Sequence, residues 1–229
     1  MKTVAVIIPA FNEQDSIAKV LTDCLNYFDK IIVVNNNSTD QTEFIAKKFP
    51  VTVLFEPRRT YGQAVYTGSI HALSQGADYL AYIDADASES SADLYKLYQH
   101  MKIKKLDLIT GQRQSSQIPA HAHLGNRLAC FIMNVVWDSP FRDLGPMRIL
   151  SKAAWDKIQM QDRDYGWTVE MQVKALIYNL NIAELTIKSN KRIGKSKISG
   201  TIKGTFLASF YILKTLLILF LKHPRRINS

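Results

Sequence analysis

The stretch that decides the fold is YLAYIDAD, Tyr79 to Asp86. Five apolar or aromatic residues run without a polar break, and two carboxylates follow with one small residue between them. So short a continuous apolar run is a strand covered on both faces, as in a parallel sheet. Outward from it, similar runs recur at 4–8, 31–34, 51–55 and 106–110. Helical spacing fills the intervals, over about 13–28, 39–48, 63–74 and 90–101. The predicted fold is α/β: a doubly wound, mostly parallel sheet with helices on both faces and function in the loops beyond the carboxyl ends of the strands. After residue 120 the pattern is less regular, with helices expected over 124–137, 151–158 and 167–178 and an edge strand at 182–187. No internal repeat interrupts it.

Those carboxyl ends are where the chemistry-bearing residues fall. Asp84 and Asp86 at a strand tip can share one hard divalent cation, Mg²⁺ or Mn²⁺, leaving coordination positions for the oxygens of a diphosphate. The plainer alternative is a turn, since Asp is common where strands end. The first strand closes in Pro9-Ala10-Phe11-Asn12-Glu13, where Glu13 suits a helix N-terminus. The second closes in Asn35-Asn36-Asn37-Ser38-Thr39-Asp40, whose mixed donors and acceptors suit a base or a ribose as well as a turn. Gly62 opens the third helix and permits close backbone approach by a phosphate-bearing ligand.

IIPAFNE, IIVVNNNSTD, YGQAVYTG, YIDADAS and ITGQR, in this order and spacing, resemble the catalytic domain of glycosyltransferase family 2, which has the GT-A fold. The resemblance covers about residues 3–200. DLGPMRIL, YGWTVEMQVKAL, IAELTI and RIGKSKISG are similar to the branch of polyprenyl-phosphate sugar synthases, the dolichyl-phosphate mannose synthases among them. The resemblance implies an inverting transfer from a nucleotide-diphosphate sugar with a divalent cation, Mg²⁺ or Mn²⁺. It implies that Pro9, Phe11, Glu13, Asn35 and Asn36 line the nucleoside pocket. Asp84, Ala85 and Asp86 would meet the cation and diphosphate, with Asp84 and Asp86 as the metal ligands, and Arg113 would contact the diphosphate. Asp86, Glu170 and Arg148 would act in catalysis, Glu170 as a base or a positioning group and Arg148 on the departing phosphate. Asp143 sits beside that arginine's segment. One departure stands out: the family usually carries Asp-Asp where this chain has Asn35-Asn36, which opens the choice of nucleotide.

The net charge of +9 is unevenly spread. No Asp or Glu follows Glu184, while the last 45 residues hold ten Lys or Arg, and the first 184 carry 19 basic against 20 acidic side chains. A near-neutral domain with a basic tail suits phosphates or anionic lipid head groups. Arg192, Lys195 and Lys197 lie in a loop with no interleaved aromatics, which argues against nucleic acid and for a lipid or acceptor phosphate. The run Gly204 to Leu221 holds one charge, Lys214, and at eighteen residues falls short of the roughly 20 a spanning helix needs. The expected division is a catalytic domain over 1–200 and an apolar, basic, membrane-associating helix over 201–229. That helix lies in the interface, with a span or a docked helix as the alternatives. The N-terminal residues lack signal-peptide features, so the expected location is the cytoplasmic face of the membrane, with a membrane subunit or a second copy as possible companions.

Apolar residues at 47% and charged ones at 21% exclude a disordered or collagen-like chain. Cys24 and Cys130 have neither disulfide nor metal spacing and read as buried thiols. His121 and His123 have no third ligand nearby. The leading expectation is sugar transfer to a polyprenyl phosphate. The alternatives are transfer to a hydroxyl acceptor, a nucleotidyltransferase on a similar sheet, and a non-catalytic membrane adaptor. PAFNE is not the Gly-rich, basic loop a nucleotidyltransferase wants, and an adaptor has no use for converging Asp84, Asp86 and Arg113.

Overall fold

The structure is a computed structural model that describes residues 2–114, 120–194 and 202–223. The first half alternates strand and helix: β1 (Val4–Ala10), α1 (Ile17–Leu25), β2 (Lys30–Asn35), α2 (Thr42–Ala46), β3 (Thr52–Phe55), α3 (Tyr61–Ser74), β4 (Tyr79–Tyr82), α4 (Ser91–Lys104) and β5 (Leu108–Arg113). The second half continues with α5 (Ala120–Trp137), β6 (Arg148–Ser151), α6 (Lys152–Ile158), α7 (Trp167–Ile177), β7 (Ile182–Ile187) and α8 (Ile202–Lys222). All seven strands form one sheet in the order β3-β2-β1-β4-β6-β5-β7. β1 pairs in parallel with β2 and β4, β2 with β3, and β5 with β7.

β6 runs antiparallel between β4 and β5, in a segment where no strand was expected. The signal was hidden because the strand is four residues long and begins with a charged residue, Arg148, that is fully buried. β1 also runs one residue past Pro9, since Ala10 still pairs with Asn35 and its carbonyl accepts the Asn36 amide. The edge position of β7 is as expected.

Apolar side chains fill both faces of the sheet. One core packs β1, β2 and β4 residues such as Ile7, Val34 and Leu80 against α3, α5 and α7, with Trp155 and Trp167 in edge or tilted contact with Tyr66 and Tyr82. The other packs Val6, Ile8, Val33 and Ile83 against α1 and α4. Burial of nearly continuous strands on both faces is what the apolar runs required. The chain leaves β1 toward β2 and β3, then returns to β4 on β1's other side. The crevice at the carboxyl ends of β1 and β4 is therefore the topological switch point of the sheet.

α8 is docked onto the catalytic fold. It packs on α5 and α7, and its Leu216 and Leu219 are buried in the first core. Thr215 donates from Oγ1 to Asp162 at 3.0 Å, and the Tyr165 ring meets Tyr211 in a tilted contact with centres 5.8 Å apart. Gly125 and Gly166 allow this close approach: a Cβ at Gly125 would lie 2.9 Å from Ser209 Oγ, and one at Gly166 2.2 Å from Thr215 Oγ1. Among the described residues no helix is long and apolar enough to cross a membrane.

Candidate active site

Three strand ends converge at the switch point. The loops after β1 and β2 are tied together: the Asn12 amide donates to Ser38 Oγ at 3.0 Å, the Thr39 amide to Asn12 Oδ1 at 2.8 Å, and the Glu13 amide to Thr42 Oγ1 at 2.7 Å. Asn12 and Asn37 both sit at positive φ, 54° and 59°, a conformation asparagine tolerates better than most residues. Pro9 and Phe11 line this corner, and the Arg59 guanidinium lies 5.3 Å from the Phe11 ring centre. Asn35 is spent on the scaffold: it donates to Glu43 and accepts the Ser38 amide at 3.0 Å. Asn36 donates from Nδ2 to the Thr60 carbonyl at 3.1 Å, while its Oδ1 is buried without a partner. An unpaired buried acceptor is costly unless a ligand completes it.

Asp84 and Asp86 follow β4. Asp86 Oδ1 accepts the Ser88 amide at 2.9 Å, and Ala87 takes φ 61°, an uncommon conformation for alanine that turns the chain sharply behind the two acids. Asp84 Oδ1 is buried and unpartnered. Burial and the neighbouring Asp86 charge push the Asp84 carboxyl up to about 7. Beneath lies Glu89, which sequence reasoning did not single out. Its Oε1 accepts the Met147 amide at 3.2 Å, its Oε2 has no partner, and burial with Asp84 nearby drives its pKa well upward. It sits outside the DxD spacing in a serine-rich run, so only the fold reveals it.

Asp84 and Glu89, each with a spare buried oxygen and a raised proton affinity, crowd negative charge beside Asp86 that a divalent cation would relieve. Among the described residues no group of three or more His, Cys, Asp or Glu could hold a metal by itself. An ion here would take its remaining ligands from water and from a bound diphosphate, as Mg²⁺ commonly does.

Arg113 ends β5 and is held by Asp143. Its Nε donates to Asp143 Oδ2 at 2.8 Å, its Nη2 to Oδ1 at 2.9 Å, and its own amide to Oδ2 at 2.9 Å. Burial alone would raise the Asp143 carboxyl, but Arg113 and two backbone amides override it and hold the pKa below its usual value. Glu184 on β7 accepts the amides of Arg142 and Asp143 at 2.9 and 3.2 Å, so it fixes the backbone that presents Asp143. Nothing in its sequence context flagged it.

The loop ahead of residue 195 closes over the acids. Arg192 Nη2 lies 2.6 Å from Glu13 Oε1, and Nη1 lies 3.2 Å from Asp86 Oδ2. Lys195 and Lys197 lie outside the described residues. Arg148 and Glu170 make no polar contact with Asp84 or Asp86 among the described residues. The Arg148 guanidinium is fully buried and donates to the carbonyls of Gly145, Pro146 and Thr168. The Glu170 carboxylate accepts the Gln161 and Asp162 amides, at 3.1 and 2.7 Å, and pairs with Lys174 at 2.7 Å. These contacts tie Arg148 to the segment before β6 and to α7, and Glu170 to the loop before α7.

Residues 5–143 match the model of the glycosyl transferase family 2 domain. The chain belongs to glycosyltransferase family 2. It is 33% identical over 209 residues to an uncharacterized glycosyltransferase of Mycobacterium tuberculosis, covering 90% of this chain and 94% of that one. It is 26% identical over 215 residues to a UDP-N-acetylglucosamine–dolichyl-phosphate N-acetylglucosaminyltransferase of Methanococcus voltae, covering 82% and 86%. The glucosyl-3-phosphoglycerate synthase of M. tuberculosis, solved with Mn²⁺, UDP and phosphoglyceric acid, superposes with a TM-score of 0.78 at 17% identity, covering 95% of this chain and 78% of that one. That likeness shows the fold, GT-A. This family 2 glycosyltransferase thus carries its DxD pair, its PAFNE corner and Arg113 around one crevice.

Proposed function

We propose that this family 2 glycosyltransferase moves one sugar, with inversion, from a nucleotide-diphosphate sugar to a polyprenyl phosphate at the cytoplasmic face of a membrane, using Mg²⁺ or Mn²⁺. The observation that carries the lipid reading is an apolar surface on two packed helices. α5 exposes Leu124, Leu128, Phe131 and Val135, and α8 exposes Phe210, Leu213, Leu217 and Leu221. Neither helix contains an Asp or Glu, while Arg127, Lys214 and Lys222 supply positive charge. Apolar side chains ringed by cations suit an anionic lipid surface. The match to the dolichyl-phosphate enzyme of M. voltae supports the same acceptor class.

On this reading Phe11 and Arg59 flank the base, and Asn36 Oδ1 accepts one of its N–H groups. Arg113 gives its Asp143-bound edges to the scaffold and keeps its Nη1 protons for a phosphate oxygen. Asp84 and Asp86 would hold the divalent ion, whose charge would offset that of the leaving diphosphate. An acceptor phosphate oxygen attacks the anomeric carbon, the bond to the diphosphate breaks, and the nucleoside diphosphate departs. A phosphate acceptor is already anionic and needs no general base, which agrees with the Glu170 carboxylate being occupied by two amides and Lys174. Glu170 and Arg148 then serve catalysis by positioning. Arg192, Lys195 and Lys197 bring positive charge to the phosphates, of donor and acceptor alike. A separate membrane subunit or a second copy would complete attachment.

The test incubates the detergent-extracted protein with labelled UDP- or GDP-sugars, Mn²⁺ or Mg²⁺ and a short polyprenyl phosphate. Label that enters organic solvent and is released by mild acid is the expected result. Label transferred only to a soluble glycan would replace the lipid reading with a hydroxyl acceptor.

A further inference from the structure

The guanidinium of Arg192 sits where two of the site's acids meet. It spans Glu13 and Asp86, both nearly buried, and is itself about a quarter exposed. Glu13, Asp84, Asp86 and Glu89 crowd one crevice end, and among the described residues Arg192 and Arg113 offset them. The contact is held by the backbone as well. The Ile193 amide donates to the Asp86 carbonyl at 3.0 Å, the Asn190 amide to the Ser88 carbonyl at 2.7 Å, and Ser189 bridges to Glu89. The segment that bears Arg192 is thus laid along the turn that bears the metal-binding acids. Gly194, at φ +85°, ends it in a conformation that favours glycine and permits a local pivot.

Four buried atoms among the described residues are unsatisfied in this arrangement, Glu89 Oε2 and Ser189 Oγ among them, and two matter here. Arg192 Nε is buried without an acceptor, and Asp84 Oδ1 is buried without a donor or cation. A guanidinium with one donor unused and a carboxylate with one oxygen unused are each able to take a further partner of opposite charge. A phosphate oxygen suits the first, and a divalent ion suits the second. They cannot both be fully served while Arg192 keeps Asp86, because a guanidinium and a divalent cation on one carboxylate repel each other.

We propose that Arg192 is an exchangeable internal cation: it occupies Glu13 and Asp86 until a metal-bearing diphosphate arrives, then passes Asp86 to the ion and takes a phosphate oxygen instead. This rests on Asp84 and Asp86 being the metal ligands. The consequence is an order of binding. Free metal must displace Arg192 from Asp86 with Glu13 alone left to hold it, so it binds weakly. Metal together with a diphosphate gives the displaced guanidinium a new partner, so the two bind cooperatively. Specificity for an intact diphosphate then comes partly from the loop, not only from the DxD pair.

Removing the charge should therefore move two affinities in opposite directions. In Arg192→Gln, free Mn²⁺ should bind about tenfold tighter, the scale of deleting one like charge at contact distance on a partly wet site. In the same variant the tightening of Mn²⁺ by added UDP or GDP should shrink about tenfold, since one phosphate contact is lost. Arg192→Lys keeps the charge and should stay close to the unaltered protein in free Mn²⁺ affinity. The readout is Mn²⁺ electron paramagnetic resonance on the full chain, titrated with metal alone and with metal plus nucleotide, so turnover is not needed. Free Mn²⁺ binding Arg192→Gln no tighter than the unaltered protein overturns the exchange. Equal tightening in Arg192→Gln and Arg192→Lys also overturns it, because charge is then not the cause. Asp86→Asn separates the two levels: if it binds Mn²⁺ as well as the unaltered protein, the metal assignment falls, and the exchange with it.

Discussion

Replacing Asp143 by Asn keeps the size of the side chain but reverses part of its hydrogen-bonding sense. The carboxylate receives four donors, three from Arg113 at 2.8–2.9 Å and the Asn126 amide at 3.0 Å. Asparagine offers one accepting oxygen and one donating nitrogen, so two donors lose their partner and face another donor. Space to rearrange is short, since a Cβ at Gly145 would already lie 3.0 Å from Asp143 Oδ2 and 3.2 Å from Arg113 Nε. Breaking a buried ion pair from one side costs roughly 3–5 kcal/mol. The Arg113 side chain is 27% exposed and water can reach part of it, so the lower end, about 3 kcal/mol, is expected. With a urea dependence of about 2.5 kcal/mol per molar, the unfolding midpoint should fall by roughly 1 M. Donor affinity, read by titrating a nucleotide sugar in the presence of Mn²⁺, should weaken at least tenfold because Arg113 is no longer aimed. Arg113→Met should weaken the donor as much but unfold later than Asp143→Asn, since Asp143 keeps the backbone amide and Asn126. An unchanged midpoint in Asp143→Asn would refute the claim that this carboxylate organises the arginine. A lower midpoint with unchanged donor affinity would show instead that Arg113 only stabilises the fold.

Two further outcomes follow from the packing and the ionisation of this crevice. Gly68→Ala puts a Cβ 2.6 Å from Ile7 Cγ2 and 2.9 Å from Val34 Cγ2, between α3 and the sheet. The strain of about 2–3 kcal/mol outweighs the helix-propensity gain of about 1 kcal/mol, so the melting temperature should drop by about 3–6 °C; a rise would show that α3 can lift off β1 and β2. Burial pushes the Glu184 carboxyl up to about 7 from 4.5, so the folded state binds its proton more tightly than the unfolded state does. Stability from this group is then greatest at low pH and declines as pH rises from about 4.5 to about 7. Glu184→Gln should flatten that part of a plot of melting temperature against pH, and an unaltered slope would assign it to another group.

The donor side of the crevice was legible in the sequence because its residues sit where short apolar strands stop. Asp84 and Asp86, Glu13 and Arg113 each end or follow a strand whose pattern is strong, and the sheet brings such ends together whatever the loops do. β6 and Glu89 were not legible for the opposite reason. A four-residue strand led by a buried arginine carries no period-two or apolar signal, and a glutamate three residues past the DxD pair is unremarkable until the turn at Ala87 folds it beneath Asp84. Asn35 and Asn36 looked equivalent in sequence and are not. Asn35 is consumed by Glu43 and Ser38, whereas Asn36 Oδ1 is buried without a partner.

Arg148 and Glu170 show the same limit from the other side. Their residue types and family positions suggested chemistry, but a side chain's task is set by what it is bonded to. Arg148 donates to three carbonyls that sit near β6 and α7, so its charge is dispersed over peptide dipoles. Glu170 is matched by Lys174 and two amides. A base whose oxygens are fully subscribed cannot also take a proton from a hydroxyl acceptor without breaking a buried ion pair, a cost of roughly 3–5 kcal/mol that a reaction with an anionic phosphate acceptor never meets. The bonding of Glu170 thus weighs against this carboxylate as a base and not for any one acceptor: a proton taken here must first part it from Lys174 and two amides.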